Sequence, residues 1–244
     1  MITFFTEVRQ TLAPRNEIKN GPLPPLLVAM TLVTGLVDAF SYLVLGHVFV
    51  ANMTGNVVFL AFALAGASGF SILASVLALV SFVLGSLAGG FLGSRLGHHR
   101  GHLLSVTAVL QTLLLIAAAV LATLAGKPLP AGYNHGIIII LGIAMGVQNA
   151  TARKLAVPDL TTTVLTLTIV GIGADSRLVG GSGSKLGRRL IAVAAMFCGA
   201  LLGSLLIFHI YFVYPLVSAF IIMASVSLIA NVLSRSDPAW ISSS

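Results

Sequence analysis

Asp38 lies 12 positions beyond Leu26 in an apolar stretch with no other charged side chain back to Lys19. An ionised carboxylate at that depth costs at least about 2.5 kcal/mol on insertion scales, so such a group pairs, faces water or stays protonated. It is a candidate for coupling a proton or cation to the movement of something else. The structural alternative is a partner for His47, for Asn149 or for a break in the backbone. Asp159, next to Pro158, is a second coupling candidate, with an interfacial cap as its alternative. Two polar clusters carry the remaining chemistry. Asn52, Thr54 and Asn56 interrupt residues 46–66, and Thr161, Thr162 and Thr163 open the apolar part of 157–174. In both, amides or hydroxyls precede a helical run of about 13 residues, short for a full crossing. The first N–H groups of such a helix lack intrahelical partners, and Thr54 and Thr161 are candidate N-caps. Two helix starts facing each other would form a polar site suited to carbonyl, carboxylate or other acceptor groups. Otherwise these threonines cap and back-bond within a bundle. Gln148 and Asn149 complete the solute-binding candidates.

These groups must be held by an unusually apolar chain. Of 244 residues, 57% are hydrophobic and only 8% charged, against about 25% charged in soluble domains. Mean hydropathy is +1.06. A soluble enzyme, a disordered chain and a disulfide scaffold are excluded. The single cysteine, Cys198, has no partner for an internal bridge. The net charge of +7 would suit nucleic acid if it formed a patch, but the basic residues fall between apolar runs, so no nucleic-acid partner is expected. Those runs, at about 26–45, 71–92, 103–125, 136–152, 190–212 and 214–234, are each long enough to cross a bilayer. The polar residues 1–20 lack the apolar core and cleavage site of a secretory signal.

The positive charges arbitrate the status of 46–66 and 157–174. If both segments are re-entrant, twelve of the thirteen Lys and Arg face the cytoplasm with both termini, and only Lys127 lies outside. If both cross, Arg95, Arg100, Arg153 and Lys154 move outside. The first arrangement satisfies the positive-inside tendency better. The two halves also align. Met53–Val58 matches Leu160–Leu165, which sets Asn52 opposite Asp159. Gly35–Ala39 matches Gly146–Ala150, and Gly85-xxx-Gly89 recurs as Gly199-xxx-Gly203, with Phe82 and Phe197 closely preceding. With three crossings per half, the second copy is inserted upside down, the arrangement in which paired interrupted helices mark a solute site in transporters. The expected fold is therefore all-α: a polytopic membrane protein of six spanning helices, two interrupted or re-entrant half-helices and an inverted 3+3 repeat. One transmembrane domain, 23–235, has halves at about 26–125 and 136–234. A cytoplasmic segment, 1–22, precedes it and a tail, 236–244, follows.

Other chemistry is thin. GHHRGH at 97–102 has three histidines without Cys or acidic companions, so a solvated basic loop is expected and no metal. GGSGSKLGRR at 180–189 lacks the Walker spacing and reads as a connector beside anionic lipid. No paired-carboxylate, HExxH or GxSxG arrangement is present, so neither an enzyme nor a cofactor is expected. Gln111, His209 and Asn231 read as interhelical hydrogen-bonders. The glycines at 85, 89, 93, 199 and 203 read as close-packing faces within or between subunits, the latter giving a homo-oligomer.

The stretches GLVDAFSYLVLGHVFVANMTGNVVFLAFAL (35–64) and GVQNATARKLAVPDLTTTVLTLTIVGIGAD (146–175) resemble the YoaK-type family of uncharacterised bacterial membrane proteins. The resemblance runs from about residue 23 to 234. It implies a multi-span protein of the bacterial inner membrane and carries no catalytic residue or substrate with it. The expected function is a small secondary transporter that binds a polar solute between the two interrupted segments within the lipid bilayer. A passive channel of the same build is the first alternative. A non-transporting assembly or lipid-interacting protein is the second, and it would depend on Gly85 and Gly89 rather than on Thr161–Thr163.

Overall fold

The structure, a computed structural model, describes residues 4–14, 20–162, 165–176, 180, 185–236 and 240–241. Among them are nine α-helices and no β-strand: α1 Phe4–Leu12, α2 Leu23–Val44, α3 Met53–Leu64, α4 Ile72–Leu96, α5 Arg100–Ala125, α6 Ala131–Leu155, α7 Leu165–Ala174, α8 Leu186–His209 and α9 Tyr214–Ser236. Six of these, α2, α4, α5, α6, α8 and α9, are long and apolar enough to cross a membrane. Helix is the form an apolar segment must take in lipid, where every backbone N–H and C=O needs an internal partner. At about 1.5 Å per residue, α3 with 12 residues and α7 with 10 reach only about halfway through a hydrocarbon layer of roughly 30 Å.

The ends of the long helices are sorted by hydrogen bonds. At the start of α5, Arg100 donates from Nη2 to the Leu155 carbonyl that ends α6, at 2.6 Å, and to Asn20 Oδ1 just before α2, at 3.3 Å. Its backbone N–H donates to the Ile241 carbonyl beyond α9. The starts of α2 and α5 and the ends of α4, α6 and α9 therefore share one end of the bundle. The start of α8 joins them, because Arg189 binds Asp159 just past α6. This end holds Arg95, Arg100, Arg153, Lys154, Lys185, Arg188, Arg189 and Arg235, whereas Lys127 lies at the other. At that far end, Asn134 Nδ2 donates to the Leu45 carbonyl and His47 Nδ1 meets the Gly69 carbonyl at 3.1 Å. The helix ends that flank 45–71 thus both lie at the far end, and those that flank 156–185 both lie at the basic end.

Small residues bring the helices together. Long α4 packs along α6, α2 along α8 and α5 along α9, with α5 also against α6 and α2 against α9. A Cβ on Gly35 would stand 2.3 Å from the Met196 carbonyl oxygen, and one on Gly146 2.2 Å from that of Phe82. Gly85 meets Ile143 and Gly199 meets Leu32 in the same way. Lipid tails are as apolar as leucine, so close van der Waals fit rather than hydrophobic exclusion holds such helices together. Buried Thr31, Thr34, Thr107, Thr112 and Thr151 return their hydroxyls to carbonyls four residues back. The glycine faces of α4 and α8 are thereby occupied by α6 and α2 of the same chain, so they are not the surface for self-association considered from the sequence.

Two features lie outside the sequence expectations. The N-terminal segment contains an amphipathic helix, α1, whose Glu7 carboxylate accepts from the Gly187 N–H at 2.8 Å and so satisfies the start of α8. Trp240 in the C-terminal tail is fully buried, its ring lying where Cβ atoms on Gly21 and Gly101 would stand.

Candidate solute site

The chain between α2 and α3 is held open by two side chains. Asp38 Oδ1 accepts from the backbone N–H groups of Ala51 at 3.0 Å and Val50 at 3.3 Å. Asn56 works from the other side of the break. Its Oδ1 accepts from the Phe49 N–H at 2.9 Å, and its Nδ2 donates to the Phe49 carbonyl. Four backbone groups that would otherwise be orphaned inside the bundle are thus paired. The N-cap of α3 is Asn52, whose Oδ1 accepts from the Gly55 N–H, and not Thr54, which lies in the first turn.

The second break is built differently. Ala156, Asp159 and Thr162 all have left-handed backbones, with φ of 51°, 64° and 64°, a conformation costly for residues with a Cβ. Arg189 is 8% exposed and ties this turn to α8. Its Nε donates to Asp159 Oδ1 at 2.9 Å and its Nη2 to Asp175 Oδ2 at 2.7 Å, while Lys185 stands 3.9 Å from Asp159. The guanidinium lies against Gly171 of α7, where a Cβ would stand 2.4 Å from its Cζ. Asp159 is therefore one member of an ion-paired cluster. The Oγ1 of Thr162 is buried without a partner among the described residues, and Thr163 lies outside them.

Between the two breaks is a cavity of about 1430 Å³. Asn52, Thr54 and Gly55 line it from the first segment, and Thr161, Leu165 and Thr166 from the second. Phe82, Ser86, Gly90, Gly93 and Ser94 come from α4, Asn149, Arg153 and Lys154 from α6, and Met196 from α8. Of the residues singled out in the sequence, Asn52, Thr54, Asn149 and Thr161 are thus brought together on one wall or another. Asp38, Asn56, Gln148, Asp159 and Thr162 are not part of the lining. Gln148 instead joins three helices: its Nε2 donates to Thr34 Oγ1 at 2.8 Å, and its Oε1 accepts from Gln111. His209 and Asn231 are exposed on the outside of the bundle. Arg153, Lys154, Ser86 and Thr166 were missed as site residues. The two cations served only as markers of orientation in the sequence, and their place in the lining follows from the parallel contact of α4 with α6. The histidine loop is local structure, since His99 Nδ1 accepts from the His102 N–H and caps α5. No group of three or more potential metal ligands occurs among the described residues.

Towards the far end the cavity meets stacked rings. Phe59 lines it and stacks on Phe49 at 5.6 Å, which stacks on Tyr42 at 5.0 Å. Phe70 packs on Phe59 at 5.1 Å, and His47 sets its edge against Tyr42 at 5.1 Å.

Six membrane-length helices around a cavity bounded by two interrupted segments define an integral, multi-pass, helical membrane protein. The family described as Protein of unknown function (DUF1275) matches residues 26–229, and the chain belongs to it. It is 33% identical over 152 residues to the UPF0700 transmembrane protein YoaK of Bacillus subtilis (strain 168). That match covers 62% of this chain and 65% of the relative, so it spans somewhat under two thirds of the relative's length. No solved structure matches the chain.

Proposed function

We propose that the protein is a small secondary transporter of the bacterial cytoplasmic membrane, not an enzyme, and that it binds a polar solute between two re-entrant half-helices. The observation that carries this reading is the cavity of about 1430 Å³ shared by Asn52–Gly55 and by Thr161, Leu165 and Thr166, larger than the roughly 300–1,000 Å³ usual for ligand sites. The basic end faces the cytoplasm under the positive-inside tendency, which sets both termini inside.

An inverted repeat supports it. Exchanging α2–α5 with α6–α9 turns the α2–α8 pair into α6–α4, turns α5–α6 into α9–α2, and returns α5–α9 to itself. The exchange also holds for single residues. Gly35 against Met196 and Ala200 becomes Gly146 against Phe82 and Ser86, and Gly89 against Val147 and Ala150 becomes Gly203 against Leu36 and Ala39. In this register Phe82 answers to Met196, one position from the Phe197 that the sequence pattern suggested. Three crossings in each half make the halves antiparallel across the membrane, and alternating access then rocks one half against the other.

The repeat also suggests what closes the far side. Arg153 and Thr166 line the open cavity, and their counterparts are Tyr42 and Phe59, both members of the aromatic stack. Opening outward would separate those rings while the basic end closes. Asp38 sits outside the cavity wall and acts by fixing the break, so we assign it a positioning role rather than solute contact. Asp159 with Arg189 does the same for the second segment.

In proteoliposomes, a carrier predicts saturable uptake and exchange of internal for external solute, lost in Thr54→Val/Asn149→Leu. Phe59→Ala should add a passive leak to the exchange. Fast, non-saturating flux in the unaltered protein would replace the carrier with a channel. Activity that survives Thr54→Val/Asn149→Leu unchanged would remove the cavity from function.

A further inference from the structure

Resting on the reading of this cavity as the solute site, the structure assigns its occupant a charge: we propose that the solute is an organic anion, bearing a carboxylate or a phosphate on a partly apolar body. Two cations, Arg153 and Lys154, stand in the wall, and no Asp or Glu does among the described residues. Neither cation has a salt bridge among those residues. Three of the chain's acids are already engaged elsewhere. Asp159 and Asp175 hold Arg189, and Asp38 accepts from Val50 and Ala51.

The chain makes room for one of these charges. Lys154 lies over α4, its Cγ 3.3 Å from where a Cβ on Gly93 would stand and its Cε 2.4 Å from one on Gly97. A Cβ at Gly97 would force the lysine stem to move, and one at Gly93 would be in tight contact with it. The repeat counterparts of Arg153 and Lys154 are Tyr42 and Leu43, so the charges belong to this side alone and are not imposed by the shared fold. A low-dielectric cleft lined by one sign of charge concentrates counter-ions. The uncharged polar groups suit the same ligand: Asn52 accepts with its Oδ1 within α3, leaving its Nδ2 hydrogens to donate, and Thr54 and Thr161 offer hydroxyls. Deeper in, Val58, Phe59, Phe82 and Met196 would desolvate an apolar body.

The test labels one cavity residue with reagents of opposite charge. In a Cys198→Ala background, Thr54→Cys is treated in detergent with anionic sulfonatoethyl or cationic trimethylammonioethyl methanethiosulfonate. Each rate is divided by that of the same reagent with 2-mercaptoethanol, a small uncharged thiol, in the same uncharged detergent. The anionic reagent should be favoured by roughly tenfold, the low end of electrostatic enrichment in one-signed clefts. Arg153→Gln/Lys154→Gln should abolish the preference. With both cations intact, benzoate should protect the cysteine and benzyltrimethylammonium should not, which keeps the test sound if the double variant misfolds. Equal rates, a cationic preference or protection by the cation would overturn the anion assignment and leave the solute cavity standing. No reaction with either reagent would mean that water does not reach Thr54, which removes the cavity reading and this inference together.

Discussion

Asp38 shows how a residue can be singled out by its chemistry while its partners stay hidden in the sequence. A lone carboxylate in an apolar helix has to be satisfied somewhere, and the sequence offers proton coupling, a partner side chain or a backbone break as the means. The donors that its carboxylate meets lie 12 and 13 residues away, in a stretch whose path no periodicity reveals. Its Oδ1 accepts from Val50 and Ala51, and the carboxylate is 7% exposed. Asp38→Ala would leave two buried N–H groups unpaired, at about 1–3 kcal/mol each. Asp38→Asn keeps an acceptor in place. In thermal melts of the detergent-solubilised chain, Asp38→Ala should therefore fall well below Asp38→Asn, which should stay near the unaltered protein. Equal losses would mean that the negative charge, and not the acceptor geometry, is what the site requires. Asn52, Thr54 and Thr161 were legible as lining because interrupted polar clusters in lipid must face protein or a cavity, whereas Asn149 stood out only as the repeat counterpart of Asp38. Arg153 and Lys154 were not, because a basic pair at a helix end has an adequate explanation in membrane orientation alone.

Helices that pass each other as closely as α2 and α8 or α4 and α6 leave no space for a methyl group. That makes their glycines a direct probe of the pairing. The spacing Gly85-xxx-Gly89 and its copy at Gly199 were readable as packing faces, but which partner each one meets could not be read, since every neighbouring helix is equally apolar. The contacts resolve it within one chain: a Cβ on Gly35 would fall 2.3 Å from a carbonyl of α8, and one on Gly146 2.2 Å from a carbonyl of α4. Gly35→Ala and Gly146→Ala should each destabilise by about 1–3 kcal/mol, the usual range for overpacking. Gly90→Ala on the same helix as Gly85 should change little, because nothing lies within 4 Å of its added Cβ and alanine favours helix. Melting of the three variants side by side checks this. A loss at Gly35 without one at Gly146 would break the equivalence of the two halves, and a loss at Gly90 would mean that the cavity it lines has no room there for a methyl group.

The whole bundle has one basic end, and that asymmetry together with two half-length helices fixes what each face of the membrane should present. Composition and span length were enough to give six crossings, because an apolar run of 20 or so residues has few alternatives to a spanning helix. Whether 45–71 and 156–185 turned back could be argued only from the count of positive charges. The hydrogen bonds of Arg100 to Asn20 and Leu155 gather the starts of α2 and α5 and the end of α6 at one end, as the re-entrant arrangement expects. Single cysteines in a Cys198→Ala background test this in cells with a membrane-impermeant maleimide. Ser68→Cys, on the exposed turn between α3 and α4, should react from outside intact cells. Lys185→Cys, at the entry to α8, should react only after the membrane is opened. If α3 belonged to a full crossing, Ser68 would be shielded until lysis, the halves would run parallel, and the site between their half-helices would lose its two-sided access. Labelling of Ser68→Cys before lysis and of Lys185→Cys only afterwards is the pattern that an alternating carrier of this build requires.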